Sequence, residues 1–231
     1  MFLFLLAFAF AEPEADLQAA ANASLSEKAR ADAFERLVEL GNTDISLVRR
    51  TSVDTDSDMR QRWVSIRVLG QVGGQIVLQH LVSLLQDTSP DIRTAAVSAL
   101  GDIRSWSTTD SLIPLLKDDV LVVRATTAQA LGKIGDPASL PALEQALNSS
   151  EHYHRGQSLW IRSHFVVAMG KIRDKKAYPA LFRALDDVDV SVVRASIQAL
   201  EYIAGFSLSE DRSFEDEREA WRRWLGTKLS E

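Results

Sequence analysis

The chain has 231 residues, of which 46% are hydrophobic and 25% are charged, and its formal net charge is −6. This composition supports a continuous hydrophobic core and excludes a disordered chain. The acidic balance lacks the broad basic surface that phosphate backbones require, so we expect no nucleic acid as a partner. The absence of cysteine excludes disulfides, thiolate metal sites and thiol catalysis.

The chain begins with eleven apolar residues, MFLFLLAFAFA. Their last three, Ala9, Phe10 and Ala11, fit the small-x-small cleavage pattern ahead of Glu12. The run is shorter than the roughly 20 residues that span a bilayer as a helix. It predicts a secretory signal peptide over residues 1–11, an exported protein that is periplasmic or secreted, and no membrane span in the mature chain. A misassigned start codon or a buried first helix would also give such a run.

A short motif recurs along the rest of the chain. It reads RTAAVSALGDI at Arg93–Ile103, RATTAQALGKI at Arg124–Ile134 and RSHFVVAMGKI at Arg162–Ile172, and a weaker copy, RWVSIRVLGQV, covers Arg62–Val72. Glycines mark the register in steps of 29, 31, 31 and 38 residues, at Gly41, Gly70, Gly101, Gly132 and Gly170. A fixed period near thirty, filled by helix-like patterns, is typical of a solenoid of stacked helix pairs.

Each repeat is predicted to hold two helices, A and B. LSEKARADAFERLVELG is expected to form the first B helix, and NTDISLVRRTSVDTDSDM a short A helix with a polar turn. In residues 74–103, QIVLQHLVSLLQ carries apolar residues three and four apart, as in an amphipathic helix. The breakers in DTSP follow, and helix B is expected to begin near Asp91 as its N-cap.

The later B helices are predicted from about Asp119, from about Gln157 and over VSVVRASIQALEYI. The last copy is out of step, because Arg194 lies six rather than seven residues before Leu200. FEDEREAWRRWLGTKL is expected to form a closing helix whose two tryptophans, Trp221 and Trp224, seal the last apolar face. The prediction is an all-α fold: an α-solenoid of about six antiparallel helix pairs with a C-terminal capping helix, over residues 12–231.

The recurring pattern, D-x(0–3)-[VI]-R-x5-A-L-G-x-I with P-A-L in a neighbouring A helix, resembles HEAT-like repeats of the short, phycobilin-lyase type. The resemblance covers about residues 25–205. It implies right-handed stacking, with B helices lining a concave face. Deoxyhypusine hydroxylase, another protein of such repeats, carries repeated His-Glu pairs for a di-iron centre, and the sequence has no His-Glu dipeptide.

Arginines begin successive B helices, at Arg62, Arg93, Arg124 and Arg162. We expect each to pair with turn acids such as Asp58, Asp91 or Asp119 and so to fix the register between repeats. An anion-binding stripe is the alternative.

The longest glycine step contains an insertion, EHYHRGQ, with His152 and His154 beside Glu151. Imidazole and carboxylate groups are zinc ligands, and long loops in tight arrays often carry function. A metal-binding protein or metal-dependent enzyme using His152 and His154 is therefore one alternative, although no third ligand lies nearby in sequence. An exposed polar loop is the default interpretation, with no cofactor expected.

The offsets from each motif arginine separate core from surface. We assign offsets of −1, +3, +4, +7 and +10 to the core, whereas offsets of −2, +2, +5 and +9 form a second stripe facing the groove. We predict that this stripe binds a partner through Arg67, Thr126, Gln129, Lys133, Trp160, His164 and Lys171. Trp160 could instead pack under the 148–157 loop.

No catalytic motif stands out, so the leading hypothesis is a non-enzymatic scaffold that binds a protein or peptide. A structural subunit of an envelope assembly is a further alternative.

Overall fold

The computed structural model describes residues 12–155, 157–209 and 212–230, and the predicted signal peptide over 1–11 lies outside them. The described chain is mostly helical, with a single two-stranded sheet, which confirms the all-α class. It divides into two compact units, the first ending at His80 and the second beginning at Leu81. None of the described helices combines the length and apolar character needed to cross a membrane.

The first unit contains α1 (Pro13–Ala21), α2 (Glu27–Gly41), α3 (Ser46–Val53), α4 (Met59–Val72) and the start of α5 (Gln75–Ser83). Helices α1 and α2 pack together and against α4, and α3 packs against α4. Their shared core includes fully buried Leu37, Ile66 and Leu69. Burial of such side chains stabilises the unit by roughly 1.5–3 kcal/mol for each.

The second unit continues from α5 through a 3-10 turn and then alternates short A helices with longer B helices. In order these are α6 (Pro90–Ile103), α7 (Thr109–Leu112), α8 (Leu121–Ile134), α9 (Leu140–Leu147), α10 (Arg162–Ile172), α11 (Tyr178–Ala184), α12 (Val190–Ala204) and α13 (Phe214–Lys228). Further 3-10 turns extend the A helices at Trp106–Thr108, Ile113–Lys117, Pro137–Ser139 and Lys175–Ala177. Six A–B pairs and a final helix follow one another along the described residues, as predicted.

The insertion between α9 and α10 is a small β-hairpin. After a 3-10 turn at Ser150–His152, β1 (Tyr153–His154) pairs antiparallel with β2 (Gln157–Ser158). The prediction that the fourth B helix starts near Gln157 is therefore wrong. Because those residues form a strand, α10 begins only at Arg162.

The predicted core register is confirmed in α6, α8 and α10, apart from Ile103, which is half-buried at the +10 position of α6. Relative to the motif arginine of each repeat, the side chains at −1, +3, +4 and +7 are fully buried. The +7 position holds Leu100, Leu131 and Met169 in successive helices. Helix α10 packs against its neighbours α8 and α12.

Close helix contacts explain the motif glycine. An ideal Cβ on Gly170 would lie 2.7 Å from Cα of Ala199 in α12, and one on Gly132 would lie 3.0 Å from Cα of Ala168 in α10. Glycine facing alanine thus lets neighbouring B helices approach backbone to backbone. This contact sets the spacing of the B helices in the second unit.

The last repeat keeps the core register with a different residue at the arginine position. Val193, seven residues before the buried Leu200, is itself buried, whereas Arg194 is exposed. The Arg194 guanidinium lies 4.5 Å from the ring centroid of Phe214 at the start of α13. The closing helix is sealed by fully buried Trp221, whose ring stacks on Phe206 and meets Trp224 edge-on, as expected.

Candidate partner-binding surface

The B-helix stripe of the second unit is largely exposed. It comprises the side chains at offsets −2, +2, +5 and +9 from Arg124 and Arg162, namely Val122, Thr126, Gln129, Lys133, Trp160, His164, Val167 and Lys171. Val122 and Trp160 are 53% and 51% exposed, and Gln129, Lys133, Val167 and Lys171 are exposed as well. Thr126 and His164 are half-buried and form its floor. Neighbouring helices thus present apolar and polar side chains side by side.

Trp160 lies in the turn just ahead of α10, rather than within a helix as predicted. Its ring meets the His164 ring edge-on, with centroids 4.9 Å apart. Half of the indole remains accessible, so it is not buried beneath the hairpin. Nδ1 of His164 is buried and has no hydrogen-bond partner among the described residues. The two rings form an edge-to-face aromatic pair at one end of the stripe.

The two stripe lysines differ in their surroundings. Nζ of Lys133 donates to Asp102 at 2.7 Å, which neutralises the charge at that position. Lys171 forms no ion pair with any part of the chain that the structure describes. The stripe therefore carries its unbalanced positive charge at the α10 end.

Arg67 belongs to the first unit, whereas the other predicted binding residues belong to the second. Its guanidinium lies 4.8 Å from the Trp63 ring centroid and 5.0 Å from the Phe34 ring centroid. Cation–π contacts of this kind hold the side chain in place on the surface of α4. The role of Arg67 in partner binding stays a prediction, and it concerns the first unit only.

Among the motif arginines, Arg62 donates to the Ser52 carbonyl at 3.1 Å, whereas Arg93 pairs with the turn of the following repeat. Nε and Nη2 of Arg93 donate to both carboxylate oxygens of Asp118 at 2.8 Å, rather than to Asp91 or Asp119 as expected. The guanidinium also donates to the Asp87 carbonyl. Burial raises the pKa of Asp118, but the hydrogen bond and charge of Arg93 help to bring this pKa below its ordinary value. Such bidentate pairs fix the distance between successive turns.

Arg162 repeats this arrangement inside the hairpin region. Its side chain is 1% exposed and donates to both oxygens of Asp187, at 3.0 and 2.6 Å, and to the Leu147 carbonyl at 3.1 Å. The guanidinium also lies 4.5 Å from the ring centroid of Tyr153 in β1. The arginine thus joins α9, the hairpin and the turn before α12.

Arg124 donates a hydrogen bond to a histidine, whereas Arg93 and Arg162 in the neighbouring repeats pair with an aspartate. Its Nη1 donates to Nε2 of His152 at 3.1 Å and lies 3.5 Å from Glu151. Nδ1 of His152 donates to the Ala146 carbonyl at 2.7 Å, and the ring is fully buried 5.0 Å from Phe165. Both ring nitrogens are occupied, whereas His154 is exposed. The structure thus places His152 in the packing of the hairpin and away from a site shared with His154.

Aligning α12 on Val193 adds a stripe residue that sequence reasoning missed. Tyr202 lies nine residues after Val193, at the offset of Lys133 and Lys171, and is 55% exposed. It borders a cavity of about 200 Å³ that is also lined by Val167 and Lys171. The sequence did not reveal Tyr202, because counting from Arg194 shifts the offsets in α12 by one residue. The buried Val193 shows the correct register.

Comparisons with known proteins agree with this architecture. Residues 78–160 match the family model of HEAT repeats. No curated protein matches the sequence. The crystal structure of Kap121p is similar, with a TM-score of 0.59 and 16% identity over 94% of this chain and 27% of that chain.

An engineered protein has a TM-score of 0.51 and 18% identity, over 93% of this chain and 56% of its own. The complex of CpcE and CpcF of phycocyanin lyase from Nostoc sp. PCC7120 gives 0.48 and 16%, over 92% and 94%. At such identities the likeness concerns the fold alone. Residues 78–160 therefore match HEAT repeats, and the rest of the described chain shares the helix-pair architecture of helical repeat proteins.

Proposed function

We propose that this protein is a non-catalytic scaffold that binds a protein or peptide segment along the B-helix stripe of its second unit. The observation that carries the proposal is the half-exposed Trp160, which shares the stripe with exposed Val122 and Val167. Aromatic side chains of this kind dominate binding energies because they bury much apolar area at little conformational cost.

The packing beneath the stripe supports this role. Gly132 and Gly170 hold the B helices at backbone contact, and the Arg162–Asp187 pair ties the hairpin to the next turn. A surface fixed in this way loses little entropy when a partner arrives, so more of the contact energy appears as affinity. The buried arginines and His152, which are the groups best suited to chemistry, are used for packing.

The proposal is tested by selecting binders from a random peptide library on the purified full-length chain. Enriched peptides should bind the wild-type protein, and Val167→Asp should weaken them at least about tenfold, because a charge on the stripe must be desolvated. Val188→Asp introduces the same charge at an exposed position outside the stripe and is the control. Equal effects of the two variants, or no enriched peptide, would contradict the proposal.

We also propose that the protein works in an exported compartment, periplasmic or extracellular. The apolar run over residues 1–11 and its Ala9-Phe10-Ala11 end support this. N-terminal sequencing of the protein from its native source should begin at Glu12. Cytosolic protein that retains Met1 would overturn the assignment.

A further inference from the structure

We infer that the cavity between α10 and α12 receives an apolar side chain from an acidic peptide segment, with Lys171 and Arg173 contacting the carboxylates that flank it. This inference rests on the proposed function and names the chemistry of the partner. It commits to an acidic peptide carrying an aliphatic or aromatic side chain.

The cavity has the size and surface for one side chain. Its volume is about 200 Å³, and Val167, Ala195 and Tyr202 supply apolar walls. Gly170 and Ala199 lie at its base, where their close backbone contact leaves no side chain to fill the space. An apolar cavity of about 150 Å³ holds a benzene ring in another protein, so this one accommodates a leucine or phenylalanine side chain.

The charge at the cavity is positive. Lys171 lines it, and the Arg173 guanidinium lies 4.4 Å from the ring centroid of Tyr202 on the same rim. Neither cation forms an ion pair within residues 12–155, 157–209 and 212–230. No Asp or Glu is among the described residues that line the cavity. Asp174, next to Arg173, is turned to accept a hydrogen bond from the backbone N–H of Lys176 at 2.7 Å.

This arrangement favours carboxylates over other ligands. A guanidinium stacked on an aromatic ring keeps its N–H edge free for bidentate contact with a carboxylate. Lys171 adds a second cation in the last turn of α10. In a chain of net charge −6, two unneutralised cations beside an apolar cavity give local complementarity to an acidic segment.

Three synthetic peptides test the inference by titration at low ionic strength against the full chain. They are acetyl-Glu-Glu-Leu-Glu-Glu-amide, its variant with Ser for Leu, and its variant with Lys for each Glu. The first should bind saturably, the second at least about tenfold more weakly because it loses the buried apolar side chain, and the third should not bind.

Variants of the protein assign the site. Lys171→Glu should weaken the leucine peptide at least tenfold, whereas Lys117→Glu, an equal charge change at an exposed position before α8, should leave binding within about twofold. Both substitutions are on the surface, so unchanged thermal melts establish that each variant is folded.

The inference is overturned if the leucine peptide does not bind, if the lysine peptide binds as tightly, or if the two protein variants weaken binding equally. Its failure is distinguishable from that of the proposed function. Library peptides that bind the stripe but are neutral or basic would leave the scaffold role intact and remove the acidic partner.

Discussion

Nη1 of Arg124 donates a hydrogen bond to Nε2 of His152 at 3.1 Å, while Nδ1 of His152 donates to the Ala146 carbonyl at 2.7 Å. Because a guanidinium can only donate, Nε2 accepts and the imidazole is neutral. Burial is the main cause that lowers the pKa of His152; Arg124 and Arg162 lower it further, whereas the Ala146 contact and Glu151 raise it. The hairpin is therefore held by an uncharged histidine between two arginines.

Acidification should lower stability. The pKa of His152 in the folded protein lies below its ordinary value of about 6.5, so below about pH 7 the unfolded chain binds more protons than the folded one. The free energy of unfolding should then decrease as the pH is lowered, by at most about 1.4 kcal/mol per pH unit for each such histidine. Burial lowers the pKa of His80 as well, in the same direction.

Urea unfolding at pH 7.5, 6.5 and 5.5 measures this dependence. His152→Gln should be less stable at pH 7.5, because it cannot satisfy Arg124 and Ala146 with the same geometry, and should show a shallower dependence on pH. An identical slope in the variant would mean that His152 titrates normally in the folded protein.

The buried ion pair of Arg162 and Asp187 should contribute much more than an exposed pair. Asp187→Ala leaves a guanidinium that is 1% exposed without its counter-ion and should cost about 3–5 kcal/mol of unfolding free energy. Glu144→Ala removes the partner of exposed Arg183 and should cost under about 1 kcal/mol. Chemical denaturation of both variants makes the comparison, and similar losses would refute it.

Adding a methyl group at two helical glycines should have opposite effects. Gly170→Ala places a Cβ 2.7 Å from Cα of Ala199 and should cost about 1–3 kcal/mol by forcing two helices apart. Gly226→Ala meets nothing within 4 Å and should gain up to about 1 kcal/mol, because alanine favours the helix. Thermal melts that rank the two variants the other way would rule out the close contact.

The repeat register has its own test in α8. Leu131→Ala should cost about 2–5 kcal/mol, the range for truncating a fully buried leucine. Gln129→Ala, two residues earlier on the exposed stripe, should cost under about 0.5 kcal/mol. Denaturant melts that show equal losses would place these positions on the wrong faces.

The helices and their buried faces were predictable because they depend on local periodicity. The offsets −1, +3, +4 and +7 from Arg93, Arg124 and Arg162 identify side chains that the structure buries completely. The stripe offsets −2 and +5 identify Val122 and Gln129 as exposed, whereas Ala95, at the stripe offset +2 in α6, is buried. Periodicity therefore predicts which helix faces carry the candidate surface, but it does not predict the contacts that its side chains make.

The errors concern interactions between distant residues. A spacing of 25 residues joins Arg93 to Asp118 and Arg162 to Asp187, which no local pattern reports. The hairpin displaced the start of α10 because its strands pair with each other rather than extend the helix. Tyr202 was missed since the shifted arginine of α12 concealed its register.

The most direct test of the scaffold proposal compares two tryptophans, using a peptide from the library selection as the probe. Trp160→Ala should weaken its binding by at least about 1 kcal/mol, as hot-spot truncations do, and leave the thermal midpoint nearly unchanged because Trp160 is half-exposed. Trp221→Ala empties a fully buried site and should cost about 3–5 kcal/mol of stability, while protein that is still folded binds normally. A Trp160→Ala protein that melts early yet binds the peptide as tightly as the wild type would contradict the account.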